Sequence, residues 1–286
     1  MNKLYTLIKR ECWEHKFRLF LLPVYTSLLF LVLFYLDVAF NWNNLNEFKM
    51  TATKSGIDIA TAGLHPLGIV ILTQFAAIPL VLLGLYLFVN YIFYPLQTLF
   101  QDRKDGSIAF FRSMPYSEGM ELASKLITIL LVAPIFYWAV GTVLWHLTMP
   151  TLNHFIPKDF DQRHFTLASS IVNKSLIKMF LAEIWFLPYI AYLFVCSAFA
   201  KRSPFFLAIT PLFIIMAVER IIFGTHHIFH WLNTPIKYYY EAIKTDSSLH
   251  SWNISFHTPA FWYGILIAVV LFAGAAVLRK RNASNI

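Results

Sequence analysis

Long apolar runs separated by short polar connections set the pattern of this chain. A bilayer core of ~30 Å needs ~20 apolar residues in a helix. Six runs qualify: Leu19–Phe40, Ile69–Tyr94, Leu126–Leu147, Leu176–Ala200, Phe205–Gly224 and Pro259–Leu278. The pattern predicts an all-α integral membrane protein, with residues 1–286 forming a single transmembrane domain of six helices. The first run is longer than the ~7–15 residues of a signal-peptide core, and no small-residue cleavage site follows it, so we expect it to be retained. Before it, Met1–Arg18 mixes Leu4, Leu7, Ile8 and Cys12 with Lys3, Lys9, Arg10, Lys16 and Arg18. That mixture fits an interfacial amphipathic helix, or a basic flank that only orients the span. The connection 225–258 is rich in aromatics (Phe229, Trp231, Tyr238, Tyr239, Tyr240, Trp252) and interrupted by Pro235. One or two helices lying in the outer interface or dipping into it account for that composition.

Composition agrees with the pattern. The chain is 58% hydrophobic and 13% charged, with a mean hydropathy of +0.60; soluble domains carry roughly 25% charged residues. A net charge of +8 would point to nucleic acid in a soluble protein. Here the basic residues sit at the ends of apolar runs, so they orient the chain in the bilayer and no nucleic-acid partner is expected. The segments 1–18, 95–125, 201–204 and 279–286 hold fourteen Lys and Arg, against seven in the longer connections 41–67, 148–175 and 225–258. The first set, with both termini, is therefore expected in the cytoplasm. Two cysteines, Cys12 and Cys196, both on that side, support neither a disulfide framework nor a cysteine metal site.

Polar residues inside the runs are candidates for a transport path or gate. Gln74 and Asn90 lie in the second, Glu183 in the fourth, Glu219 and Arg220 in the fifth. At ~1.5 Å per residue, Glu183 is expected ~10 Å and Arg220 ~6 Å below the outer surface, close enough to pair. A pair of this kind lines a path or simply joins two helices. His226, His227 and His230 form HHxxH. Read chemically it is a weak metal candidate or a pH-responsive patch; read structurally it is a set of interfacial histidines, and no metal is expected. No GxSxG or HExxH pattern is present, and none of the ten glycines is followed by lysine, so there is no phosphate-binding loop of the GxxxxGK[ST] kind. The chain itself is not expected to be an enzyme or to bind a cofactor.

The longest charged insert on the cytoplasmic side is Asp102–Gly119, DRKDGSIAFFRSMPYSEG. Its pattern predicts a short amphipathic helix. Asp102 and Asp105 stand at the start, Ile108, Phe111 and Met114 recur on one face, Phe110 widens it and Pro115 ends it. Such a helix lies on a membrane surface or docks in a groove of a partner.

The run from Tyr94 to Lys125 resembles the segment between the second and third spans of permeases in the type-2 ABC exporter family. The resemblance is carried by Asp102, Arg103, Lys104, Asp105 and Ser107, then Phe110, Phe111, Arg112, Ser113, Met114 and Pro115, then Ser124 and Lys125. It implies a dimeric permease, of identical or different chains, driven by a separate ATP-binding subunit that carries the ATP and Mg. It also implies an N-terminal elbow helix and placement in a bacterial inner membrane. The 102–118 stretch becomes the coupling helix, with Ile108, Phe110, Phe111 and Met114 as apolar anchors and Arg103, Lys104, Asp105 and Arg112 setting its register. An amphipathic or hydrophobic cargo such as a lipid, drug or peptide fits the aromatic-rich spans. The competing expectation is a stand-alone polytopic protein (a secondary transporter, sensor or lipid-acting enzyme) with an outer-face histidine site, in which the same helix rests on the lipid.

Overall fold

A computed structural model describes residues 3–40, 66–105, 117–155, 162–244 and 256–282. Among them there is no strand. The helices are α1 Lys3–Glu14, α2 Leu22–Phe40, α3 Pro66–Lys104, α4 Glu118–Ile127, α5 Ala133–Phe155, α6 Gln162–Phe199, α7 Pro204–Val218, α8 His227–Lys244 and α9 Pro259–Asn282. Short π-helical turns at Phe17–Leu21, Thr128–Val132 and Glu219–Phe223 join or extend neighbouring helices.

Six stretches are long and apolar enough to cross a bilayer: Phe17–Phe40, Ile78–Lys104, Glu118–Thr151, Phe180–Phe199, Pro204–Phe223 and Pro259–Arg281. Their surfaces agree with that reading. Only 11% of the Pro204–Phe223 stretch is buried within the chain, and Val81 and Phe206 are each about 70% exposed. Water does not tolerate so much contiguous apolar surface, whereas hydrocarbon does. The chain is a multi-pass membrane protein. Each expected apolar run falls on one of these stretches, but the second reaches Lys104 and the third begins at Glu118, well beyond the expected ends.

The chain divides into two compact units. One is formed by His15–Phe88 and Ala133–Leu176. In it α2 lies along α5: Phe20 meets Phe136 edge to face at 4.8 Å, and the Tyr35 hydroxyl donates to the Leu147 carbonyl at 2.8 Å. Gly141 lets α3 come close, since a Cβ there would sit 3.3 Å from Leu80 Cδ2.

The other unit is formed by Met1–Glu14, Val89–Val132 and Ile177–Ile286. It contains α1, α4, the later part of α3 and of α6, and α7 to α9. Two apolar clusters stabilise it, one of Leu181, Trp185 and Phe261, the other of Leu96, Cys196 and Ala208. Gly224, at φ +62°, ends the fifth apolar stretch in a left-handed conformation that only glycine adopts without strain. The amphipathic helix α8 begins three residues later. It is fastened to α6 by the Tyr189 hydroxyl, which donates to the Leu232 carbonyl.

Candidate functional site

The polar interior of the second unit is a ring of buried charge where α1, α3, α4 and α9 meet. The sequence places its members by simple rules. Ser117 caps α4, accepting from the Met120 amide at 3.2 Å. The acids Glu118 and Glu121 stand in the first turn, where the helix dipole favours them. Glu118, Glu121 and Lys125 then share one face of the helix. On α1, Leu7 and Glu11 are the two buried residues, one turn apart.

Following the charges closes a circuit. Glu11 Oε1 lies 2.8 Å from Lys125 Nζ, and Lys125 Nζ lies 3.3 Å from Asp102 Oδ2. Asp102 Oδ2 is 3.3 Å from Arg279 Nη2, which is 2.7 Å from Glu121 Oε1. Glu121 Oε1 is 3.4 Å from Arg10 Nη2, which returns to Glu11 Oε1 at 3.0 Å. Acid and base alternate at every step. Glu11 and Lys125 have no exposed surface. Tyr94, itself buried, donates its hydroxyl to Glu11 Oε2 at 3.1 Å. Outer contacts run from Arg279 Nε to Glu118 at 3.3 Å and from Arg10 Nε to Glu14 at 3.5 Å.

A buried ion is expensive unless it is paired and hydrogen-bonded; here each is paired and makes at least one hydrogen bond, while Arg279 Nε and Nη1 are buried without one among the described residues. The balance is visible at Glu11. Burial alone would raise its carboxyl, but the charges and hydrogen bonds of Lys125 and Arg10 outweigh that and hold it below the ordinary carboxylate value. Glu14, more exposed than Glu11 and beside it, is pushed the other way by its partial burial and by that neighbouring charge. These ion pairs join α1, α3, α4 and α9 to one another.

A second joint sits beside it. The Arg103 guanidinium donates to the carbonyls of Ser197, Ala200 (2.9 Å) and Leu99 (3.4 Å). It thereby caps the C-terminal end of α6, where carbonyls lack helical partners. Ser197 completes the contact by donating its hydroxyl to Leu96 O at 2.7 Å and accepting from the Phe100 amide at 3.1 Å.

These findings correct several expectations. Asp102 does not start a helix; it lies in the last turn of α3, where a carboxylate opposes the helix dipole, and Lys125 and Arg279 offset that cost. Arg103 is committed to the α6 terminus. Lys104 and Asp105 are exposed at the end of α3 and in the turn after it. Ile108, Phe110, Phe111, Arg112 and Met114 lie outside the described residues, as do 106–116 altogether.

Glu183 and Arg220 do not pair. The Tyr91 hydroxyl donates to Glu183 Oε1 at 2.7 Å, and Arg220 is exposed. The charge was legible in the sequence, but the choice of tyrosine on another helix was not. Glu219 serves as a cap for α8: its carboxylate accepts from the amides of His227 and Ile228 (3.0 Å) and from the Thr225 hydroxyl (3.0 Å). An acid before a Gly break and an amphipathic helix was the available signal. Asn90 is buried on α3, and Gln74 lies on the same helix with its side chain outside the described residues. His226, His227 and His230 are exposed at the start of α8, and their ring nitrogens do not converge.

Glu11, Glu121, Lys125 and Arg279 were missed as site residues. The sequence marks them only as helix-end charges, and their convergence is tertiary. No family model, no curated protein and no solved structure matches this chain, so its own residues carry the functional reading.

Proposed function

We propose that this chain is the membrane-spanning permease of an ATP-driven exporter, similar to the type-2 ABC exporter permeases that its 94–125 segment resembles. A separate ATP-binding subunit supplies ATP and Mg, and a second permease copy completes the transporter. Residues 106–116 make the contact with that subunit, through Ile108, Phe110, Phe111 and Met114 as apolar anchors and Arg112 as the charge that sets register. Helix α1 takes the place of the elbow helix, both termini face the cytoplasm, and the protein sits in the inner membrane. The cargo is amphipathic or hydrophobic.

One observation carries this reading. The 106–116 segment is bracketed by Asp102 and Lys125, which contact each other at 3.3 Å within the ring. A push on the segment therefore reaches α1 through Glu11, α9 through Arg279 and α6 through Arg103 at the same time. A loop that merely rested on lipid has no use for a base tied to three other helices. The test is affinity purification of the full chain in mild detergent with mass spectrometry of what accompanies it. An ATP-binding subunit is the expected companion; a chain recovered alone, under conditions that preserve other membrane complexes, contradicts the proposal.

A further inference from the structure

Glu183 sits on α6 at ~24 Å from Phe199 along the helix and is only 4% exposed. Its hydrogen-bond partner among the described residues is the Tyr91 hydroxyl, which satisfies one of its two carboxylate oxygens. No Lys, Arg or His among the described residues forms an ion pair with it. It also lines a groove of about 350 Å³ whose other walls are apolar, formed by Leu126, Ile127, Leu130 and Leu131 on one side and Phe180, Ile184 and Leu187 on the other. That volume falls within the ~300–1,000 Å³ of small-molecule sites.

An acid at membrane depth is costly and marks a functional site by default. Among the described residues this one has a single neutral donor, with an apolar slot beside it. A hydrocarbon tail in the slot would leave the carboxylate facing hydrocarbon. A divalent metal would need several oxygen ligands, and the slot has one carboxylate. A ligand with an apolar body and a single positive head satisfies both features, and Phe180, three residues before Glu183 on α6, lines the same slot.

We propose that Glu183 and this groove form a binding subsite for lipophilic cations, with Glu183 as the counter-ion and Tyr91 as its positioning residue. As a statement about cargo this rests on the permease reading and narrows it to amphipathic cations. The binding itself can be measured without the ATP-binding subunit.

The probe is radiolabelled tetraphenylphosphonium, titrated onto the full chain in lipid nanodiscs. Saturable binding is expected for the wild type. Glu183→Gln weakens it roughly tenfold or more, as loss of one partner of a buried charge pair does, and Glu183→Asp retains part of it. Leu131→Trp keeps the Glu183 carboxyl group and narrows the groove at a 45% exposed wall position, so it weakens binding even if Glu183→Gln does not fold. A neutral compound of the same size does not compete. Equal affinity in wild type and Glu183→Gln, competition by the neutral compound, or no saturable binding to the wild type overturns the proposal. Glu183-dependent binding by a chain that never captures an ATP-binding subunit overturns the permease reading and leaves the site standing. Capture of that subunit with Glu183-independent binding overturns the site alone.

Discussion

Lys125 places its ammonium 2.8 Å from Glu11 Oε1, and neither side chain has any exposed surface. The contact ties the N-terminal helix to the start of the third span across more than a hundred residues of sequence. It is the tightest step between helices α1 and α4 in the ring.

Breaking that pair from the Glu11 side leaves Lys125 with Asp102 alone and the buried ring with an excess positive charge. Glu11→Gln is expected to cost ~3–5 kcal/mol, the usual penalty for removing one partner of a buried ion pair. Replacing both partners by neutral groups removes the burden as well as the bond. The double variant Glu11→Gln with Lys125→Met should therefore recover part of the loss. Thermal unfolding in detergent, read by fluorescence-detected size exclusion, gives the cycle. Strictly additive losses would show that the two residues are not coupled.

The same carboxylate predicts an acid limb in stability. Because the folded protein holds Glu11 below its ordinary value, its contribution is present at neutral pH and lost as pH falls below about 4.5 and through the folded value. Glu14 has the opposite sign. Its folded value is raised, so its contribution is favourable in acid and lost as pH rises through that value. Unfolding midpoints measured from pH 7 to about 3.5 should drop steeply for the wild type and less steeply for Glu11→Gln. Glu14→Gln should raise the midpoint at pH 7. A profile that Glu11→Gln leaves unchanged would contradict the assignment.

Arg103 and Lys104 are neighbours with different work. Arg103→Ala removes the guanidinium from the carbonyls that end α6, and should cost ~1.5 kcal/mol, the low end for charged hydrogen bonds because the site is half-buried. Hydrogen exchange should rise near Ala198–Ala200. Lys104→Ala, at an exposed helix end, should stay within ~0.5 kcal/mol of the wild type. Equal effects of the two would remove the distinction between clamp and surface charge.

Hydropathy made the six spans legible because their length and apolarity are properties of each segment alone. What it could not give was the fate of charges near the ends. Asp102 reads as a helix starter in isolation, yet the chain continues α3 through it because Lys125 and Arg279 neutralise it. Arg279 reads as one of the basic residues that flank an apolar run and orient it, yet it is buried among acids. Glu183 was recognisable as an intramembrane acid, but its partner came from α3 and not from the nearby Arg220. Glu219 was read as part of a path, and its contacts are those of a helix cap. In each case the residue's chemistry was visible and its partner, set by packing between distant segments, was not.

ATP hydrolysis by the chain together with the proposed ATP-binding subunit, compared between wild type and Phe111→Asp, tests the coupling role proposed for residues 106–116 most directly. The expected result is stimulated hydrolysis in the wild-type complex and loss of stimulation in Phe111→Asp, with membrane insertion and the thermal midpoint of the permease unchanged. Stimulation undiminished in Phe111→Asp would contradict that role.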